Sequence, residues 1–139
     1  MSKRLLYVED NFADVTLFKE FLPEHIELMV ISNGEQAQEY LGKLEKNGSL
    51  LPELIVLDIN LPDISGFELL KTIKGSEALN HIPTIMFSSS SNERDVKNAY
   101  SHAANGYVTK EMDIDDYSHK LKSFIRYWFK TTELPEVIQ

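Results

Sequence analysis

The chain has 139 residues, of which 42% are hydrophobic and 26% charged, a composition typical of one folded domain and not of a disordered protein. Its net charge of -8, from 14 basic and 22 acidic residues, argues against binding to the phosphate backbone of a nucleic acid. The chain has no cysteine, so neither a disulfide framework nor a thiolate metal site is expected.

Five apolar runs alternate with five segments whose apolar residues recur at helical spacing. The runs predict strands at residues 5–8, 26–31, 54–58, 83–87 and 107–109. The segments predict helices at residues 12–22, 35–46 and 67–74, from about residue 92, and from about residue 113. This alternation predicts a parallel sheet with helices on both faces. Right-handed crossovers then give a doubly wound five-stranded α/β fold with strand order 2-1-3-4-5.

The pattern predicts one domain with a short tail. Residues 1–131 are assigned to the domain, and residues 132–139 to a loose C-terminal tail. The first apolar run is too short for a signal peptide or a membrane span, so we expect a cytoplasmic protein without membrane contact.

Asp58 follows four apolar residues that predict a strand buried on both faces of the sheet. Such a strand tolerates an ionised side chain only where it emerges from the sheet, and ligands bind at the carboxyl ends of parallel strands. Asp58 is therefore a candidate functional residue. Taken alone, it has the alternative explanation that it only begins a turn.

Other predicted strands also end in polar residues, namely Glu9 and Asp10, Ser88, and Lys110. Because the carboxyl ends of parallel strands lie at one edge, these groups are expected to converge with Asp58. Three carboxylates in one crevice favour a bound cation, and hard oxygen ligands favour Mg²⁺. No pair among the four histidines has the spacing of zinc ligands. A carboxylate beside Mg²⁺, opposite an ammonium and a hydroxyl, is suited to accepting a phosphoryl group.

Several short stretches together resemble the receiver domains of two-component response regulators, over nearly the whole chain. They are Val8-Glu9-Asp10, Leu57-Asp58-Ile59-Asn60-Leu61-Pro62 with Gly66-Phe67, Phe87-Ser88-Ser89, and Asn105-Gly106-Tyr107-Val108-Thr109-Lys110. The resemblance implies a three-layer fold like those of flavodoxin and CheY. Residues 60–62 and 92–95 further resemble the stand-alone regulators that partner bacterial phytochrome-type histidine kinases.

The resemblance implies a specific acceptor and metal site. Asp58 would accept a phosphoryl group from the phosphohistidine of a histidine kinase. Asp10, Asp58 and the backbone carbonyl of Asn60 would bind Mg²⁺ directly, and Glu9 would act through water. The protein would be a regulator and not an enzyme.

The resemblance also implies the groups that surround the phosphoryl group. Ser88 and Lys110 would bind its oxygens, and the small Ser89 would leave access to the site. Tyr107 matches the aromatic switch position, where the ring turns inward once Ser88 moves toward the phosphoryl group. The alternative for Tyr107 is an ordinary strand aromatic.

Glu111 stands where the family usually has proline after the lysine. A cis bond before a non-proline residue costs about 3–4 kcal/mol. We therefore expect the Lys110–Glu111 bond to be trans or a strained cis bond, with an altered loop. The charge of Glu111 is also expected to weaken phosphoryl binding at Lys110.

The last predicted helix is followed by too few residues for an output domain, so the output is expected to be a protein contact. That helix ends in several aromatic residues, and the candidate interface residues are Tyr117, Phe124, Tyr127 and Trp128. The face formed by helix 4, strand 5 and helix 5 is predicted to form a symmetric dimer or to dock a partner. The alternative is an amphipathic helix with a few stray aromatic residues.

Three other functions share features with this pattern. A phosphatase of the haloacid dehalogenase type would need a second aspartate two residues after the nucleophile, where this chain has Asn60. A flavodoxin-like cofactor carrier would need a phosphate cradle after strand 1, where Glu9 and Asp10 would repel phosphate. A receiver scaffold that acts without phosphorylation remains the third alternative, and Glu111 favours it modestly.

Overall fold

The computed structural model describes residues 3–47 and 51–135. Five strands are present: β1 (Lys3–Val8), β2 (Ile26–Ile31), β3 (Leu54–Asp58), β4 (Thr84–Ser88) and β5 (Gly106–Thr109). Five helices follow them in alternation: α1 (Phe12–Phe21), α2 (Gly34–Asn47), α3 (Gly66–Lys74), α4 (Glu93–Ser101) and α5 (Ile114–Arg126). A π-helical turn, Tyr127–Thr131, extends α5.

The strands form one parallel sheet in the order β2-β1-β3-β4-β5, which confirms the predicted doubly wound fold. The register aligns Val8 with Leu57, and Asp58 with Phe87. In the same way Ser88 lies beside Thr109. The carboxyl ends of the four strands β1, β3, β4 and β5 therefore lie at one edge, with their following loops side by side.

Polar residues cap the helices that start at this edge. The side chain of Asn11 accepts a hydrogen bond from the backbone N–H of Asp14, so Asn11 and not Asp10 caps α1. Ser65 and Asn92 cap α3 and α4 in the same way. Asn11 and Asn92 lie three and four residues after the ends of β1 and β4, whereas Ser65 lies seven residues after the end of β3.

Hydrophobic cores lie on both faces of the sheet. In β3 successive side chains point to opposite faces, so Ile55 and Leu57 pack with α2 and α3, while Leu54 and Val56 pack with α1 and α5. All four residues are fully buried. The same alternation directs the side chain of Asp58 toward the α1 and α5 face.

The structure corrects part of the predicted interface. Tyr117 and Phe124 are only 4% and 8% exposed, because the apolar stripe of α5 packs against Phe18 of α1 and Phe87 of β4. These two residues belong to the core and offer little surface to a partner. Tyr127 is 49% exposed and Trp128 is half-buried.

The chain leaves helical structure after Thr131, and residues 132–135 have no regular secondary structure. The remainder of the predicted tail lies outside the described residues. Within residues 3–47 and 51–135 there is no cis peptide bond, so the Lys110–Glu111 bond is trans. No helix in this part of the chain combines the length and the hydrophobicity needed to cross a bilayer.

Candidate functional site

Three carboxylates meet at the carboxyl edge of the sheet. Glu9, Asp10 and Asp58 each offer one oxygen, and these oxygens lie within 4.8 Å of one another. Glu9 and Asp58 are buried, whereas Asp10 is exposed. Sequence reasoning placed these three residues together, and the register of β1 and β3 explains why they meet.

Glu9 is held in place by hydrogen bonds from its backbone and to its side chain. Its backbone N–H continues the β1–β2 ladder by donating to the carbonyl of Ile31 at 3.0 Å. Its carboxylate accepts hydrogen bonds from the Tyr7 hydroxyl at 3.3 Å and from the Asn11 backbone N–H at 3.2 Å. The carboxylate is therefore buried and oriented before any ligand arrives.

Lys110 reaches into this cluster from the end of β5. Its ammonium contacts Glu9, donates to Asp14 Oδ2 at 2.8 Å, and lies 3.3 Å from Asp58 Oδ2. These partners are far away in sequence, the nearest being 52 residues from Lys110. The predicted convergence of Asp58, Glu9 and Lys110 is present, and Asp14 joins them.

The charges in the cluster alter one another. Burial raises the pKa of Glu9 to about 7; the nearby Asp58 carboxylate acts in the same direction, and Lys110 opposes both. Burial favours the neutral form of Lys110, but its hydrogen bonds with Asp14 and Glu9 outweigh that effect and raise the pKa of Lys110. Lys110 is therefore a permanent cation among carboxylates whose negative charges repel one another.

The loop after Asp58 is packed tightly. Asp58 Oδ1 accepts a hydrogen bond from the backbone N–H of Asn60 at 3.0 Å. The backbone N–H of Gly66 donates to the carbonyl of Ile59 at 2.9 Å, which closes the loop onto the start of α3. A Cβ on Gly66 would lie 2.1 Å from the carbonyl oxygen of Asp58, so only glycine fits this contact.

An open crevice of about 830 Å³ leads to Asp58. Its lining includes Asp10, Asp58, Asn60, Ser89 and Lys110, five of the residues predicted for the site. Asp58 is thus buried in the protein yet approached from solvent on one side.

Ser88 precedes Ser89, which lines the crevice, and is itself fully buried. Its hydroxyl oxygen accepts a hydrogen bond from the backbone N–H of Ser90 at 3.0 Å. The Tyr107 hydroxyl donates to the carbonyl of Ser90 at 2.8 Å, and the Ser90 hydroxyl donates to Asp95 Oδ2 in α4 at 2.9 Å. Ser88 and Tyr107 are therefore joined through Ser90, and the same residue contacts α4.

Glu111 also lines the crevice, but its carboxylate forms an ion pair with Lys120 of α5. Lys110 instead pairs with Glu9, Asp14 and Asp58. Lys120 thus balances the charge of Glu111, and the expected weakening of phosphoryl binding by Glu111 stays a prediction.

The family model of the response regulator receiver domain matches residues 5–122. The chain belongs to this family. Receiver domains are the regulated components of two-component signalling, so the protein is a two-component response regulator.

This receiver domain is similar to the response regulator Rcp1 of Synechocystis sp., with 36% identity over 138 residues that cover 96% of this chain and 93% of Rcp1. The structure of the phosphorylated cyanobacterial phytochrome response regulator RcpA superposes with a TM-score of 0.90 at 33% identity, covering 98% of this chain and 100% of RcpA. The Mn²⁺-bound form of Rcp1 superposes with a TM-score of 0.88 at 34% identity, covering 96% of this chain and 99% of that structure.

The donor set in this receiver domain fits a divalent metal ion. The clustered ligand atoms of Glu9, Asp10 and Asp58 are all carboxylate oxygens, which hard cations prefer over softer ligands. The described residues contain no cysteine and place no histidine in the cluster. A site of this composition is suited to a hard divalent cation.

Two residues of the receiver site were missed by sequence reasoning. Asp14 lies in the first turn of α1, where an acid is common because it favours the positive end of the helix dipole. Ser90 lies in a run of four serines that resembles an ordinary loop. Neither pattern signals a long-range contact, although the position of Asp14 one helical turn after Asp10 was a usable hint.

Proposed function

We propose that Asp58 of this response regulator accepts a phosphoryl group from the phosphohistidine of a histidine kinase in a Mg²⁺-dependent transfer. The observation that carries the proposal is the meeting of Lys110 and Asp58, with 3.3 Å between Nζ and Oδ2, inside a cluster of carboxylates. An isolated surface ion pair would not need two further buried or half-buried acids beside it.

The Asp58 carboxylate is oriented through both oxygens. Oδ1 accepts from the Asn60 backbone and Oδ2 from Lys110, which directs the carboxylate toward the crevice. A carboxylate oxygen of Asp58 forms a bond to phosphorus while the bond from phosphorus to the imidazole nitrogen breaks, and the imidazole keeps the electron pair. The product is an acyl phosphate on Asp58.

The metal would be held by groups at the carboxyl ends of two neighbouring strands, β1 and β3. Asp10, Asp58 and the backbone carbonyl of Asn60 would bind it directly, and Glu9 would act through a water molecule. When bound, Mg²⁺ would neutralise negative charge that builds up between the carboxylates and the phosphoryl oxygens.

Lys110 and Ser88 would bind the phosphoryl oxygens. Lys110 already lies beside Asp58, whereas the Ser88 hydroxyl now accepts from the Ser90 backbone. Accepting this bond leaves the proton of the Ser88 hydroxyl available for donation to the phosphoryl group. Tyr107 contacts the same residue, because its hydroxyl donates to the Ser90 carbonyl. Ser89 is exposed at the crevice and leaves room for the incoming group.

The proposal predicts acid-labile phosphate on the protein after incubation with acetyl phosphate and Mg²⁺. Asp58→Asn should abolish incorporation, and chelation of the metal should do the same to the unaltered protein. Asp116→Asn makes the same change at an exposed residue of α5 and should incorporate phosphate normally. Incorporation that survives Asp58→Asn would rule out this acceptor. A protein that takes up no phosphate yet binds its partner would favour a scaffold without phosphorylation.

The protein is proposed to be an acceptor and not an enzyme. A phosphatase would release inorganic phosphate from phosphomonoesters in repeated turnovers. The expected result is one phosphate per chain without steady turnover of such substrates. Catalytic turnover that depends on Asp58 would overturn this part of the proposal.

We infer that a phytochrome-type histidine kinase donates the phosphoryl group. This chain is similar to Rcp1 and to RcpA, and RcpA is a cyanobacterial phytochrome response regulator. The test is phosphotransfer from a purified phytochrome-type kinase compared with an unrelated histidine kinase. Faster transfer from the phytochrome-type kinase supports the proposal, and equal or slower transfer contradicts it.

The net charge of the chain, -8, gives no reason to include nucleic acid among the partners.

The face formed by α4, β5 and α5 is the proposed contact surface for a dimer. Tyr100 and Tyr127 are each about half exposed, at 54% and 49%, and a groove beside β5 is bordered by Tyr107, His119 and Lys120. Phosphorylation at Asp58 would alter this face through Ser88 and Tyr107. Sedimentation is measured with and without acetyl phosphate, and a dimer is expected under at least one of these two conditions. A monomer under both conditions would exclude the dimer.

A further inference from the structure

Lys110 has three carboxylate partners, and they belong to two different groups. Glu9 and Asp58 are part of the three-carboxylate cluster that fits a metal ion. Asp14 is not part of that cluster, yet its Oδ2 lies 2.8 Å from Lys110 Nζ. Asp14 is therefore the one partner of Lys110, among the described residues, that a metal ion would not compete for.

A metal ion would disturb the other two contacts. A divalent cation and the Lys110 ammonium would both draw on the charge of Glu9 and Asp58, and like charges a few ångströms apart repel each other. Without another anchor, Lys110 would be pushed away from Asp58 when the metal binds. That is the moment when the proposed phosphoryl transfer needs Lys110 in place.

Asp14 is built into a rigid part of the fold. It lies in the first turn of α1, where its backbone N–H donates to Asn11 Oδ1 at 3.1 Å. The next residue, Val15, and Phe18 are buried in the core and fix the helix to the sheet. Asp14 itself is partly buried, and the Lys110 side chain is only 11% exposed.

We propose that Asp14 is a positioning residue that keeps the Lys110 ammonium beside Asp58 while a divalent cation occupies the carboxylates of Glu9 and Asp58. The proposal rests on the proposed function, because it concerns the same site. Asp14 acts through Lys110 and touches neither the metal nor the phosphoryl group.

The first test observes Lys110 directly in the Mg²⁺-loaded protein. A hydrogen-bonded ammonium exchanges its protons slowly enough to be seen in ¹⁵N-edited NMR spectra, and Lys110→Met assigns the signal by its loss. We expect the Lys110 signal to persist in the unaltered protein and in Asp14→Glu, and to broaden or disappear in Asp14→Asn. Glu20→Gln removes an exposed acid from the same helix and should leave the signal unchanged.

The second test measures the rate of phosphorylation by acetyl phosphate at saturating Mg²⁺. Mutation of a residue that orients the groups of a metal site typically lowers activity by about 10–100-fold. Asp14→Asn should therefore lower the rate of phosphorylation about tenfold or more. Asp14→Glu should restore most of the rate. In the Lys110→Met background Asp14→Asn should cause no further loss, because Lys110 is then absent.

Defined outcomes would overturn the proposal. A Lys110 signal that survives Asp14→Asn, or a rate loss of equal size with and without Lys110, shows that Asp14 does not act through Lys110. If Asp14→Asn fails to fold, Asp14→Ser is the second neutral variant, since it also removes the charge and adds no bulk. If the unaltered protein takes up no phosphate, the proposed function fails, and the NMR comparison still decides whether Asp14 positions Lys110.

Discussion

The hydroxyl of Tyr107 donates a hydrogen bond to the carbonyl oxygen of Ser90 at a distance of 2.8 Å. The backbone N–H of the same serine donates to Ser88 Oγ, and its hydroxyl donates to Asp95 in α4. Ser90 thus connects the buried hydroxyl of Ser88, one of the proposed phosphoryl-binding groups, with Tyr107 of β5 and with α4. Any rotation of Ser88 that breaks its contact with Ser90 therefore acts on α4 and β5 together.

Tyr107→Phe should lower the free energy of unfolding by about 0.5–1.5 kcal/mol, the usual net contribution of one hydrogen bond. The ring remains, so the packing of β5 is preserved, and phosphorylation of Asp58 should persist. Urea denaturation of both proteins provides the measurement. Tyr100→Phe is the matched control, because Tyr100 is exposed and its hydroxyl forms no hydrogen bond within residues 3–47 and 51–135. Equal stability of the two variants would show that the Tyr107 contact contributes nothing.

Glu9 should make the metal-free protein less stable as the pH rises. The pKa of Glu9 is raised to about 7 in the folded state, by burial first, against an ordinary value of 4.5. The folded protein therefore binds this proton more tightly than the unfolded chain. The resulting stabilisation is complete below about pH 4.5 and is lost as the pH rises through about 7.

The measurement compares the unaltered protein with Glu9→Gln, which mimics the protonated form, across this pH range in the presence of a chelator. The difference in free energy of unfolding should change by at most about 1.4 kcal/mol per pH unit. Excess Mg²⁺ should reduce the change, because a bound cation favours the ionised carboxylate. A difference that stays constant from pH 4.5 to 7 would mean that Glu9 ionises like an exposed glutamate.

Gly66→Ala should damage the loop that presents Asp58. The added methyl group would lie 2.1 Å from the Asp58 carbonyl oxygen, so the backbone of β3 or the start of α3 must shift. Overpacking of this kind costs about 1–3 kcal/mol, and phosphorylation by acetyl phosphate should slow as well. Thermal unfolding and the rate of phosphate incorporation are the two measurements.

Gly42→Ala is the control for this change. Gly42 lies inside α2, and a Cβ there would meet no atom within 4 Å. Alanine is favoured over glycine inside a helix by roughly 0.5–1 kcal/mol, so this variant should be slightly more stable than the unaltered protein. If both alanine variants behaved alike, the close approach of Gly66 to Asp58 would not matter.

Asn105→Ala should destabilise the edge of the sheet opposite the site. The Asn105 side-chain oxygen accepts from Lys74 Nζ and from the Thr84 backbone N–H, each at 2.9 Å. It thereby joins the end of α3 to the start of β4. Losing both contacts, and leaving the backbone N–H of the buried Thr84 without its partner, should cost about 1–3 kcal/mol in urea denaturation. Asn80→Ala, at an exposed residue whose side chain makes no hydrogen bond in the described part of the chain, should be nearly neutral.

The sequence predicted the fold because its strand and helix signals are local. Three- to six-residue apolar runs and helical spacing depend only on neighbouring residues, and the predicted bounds of β2 and β3 agree with the structure. Polar residues at the ends of parallel strands necessarily share one edge, which is why Glu9, Asp10 and Asp58 could be grouped from the sequence alone. The family motifs then supplied the expected chemistry of this edge.

Only the tertiary structure decided which side chains touch. Asp14 and Lys110 are 96 residues apart, and their contact depends on how α1 and α5 pack on the same face of the sheet. In the same way, the orientation of α5 buries Tyr117 and Phe124 and leaves Tyr127 exposed, although all three aromatic residues looked alike as interface candidates. Periodicity determines which residues share a face of one element. The packing of that element against the sheet determines whether the face meets the core, a charged partner or solvent.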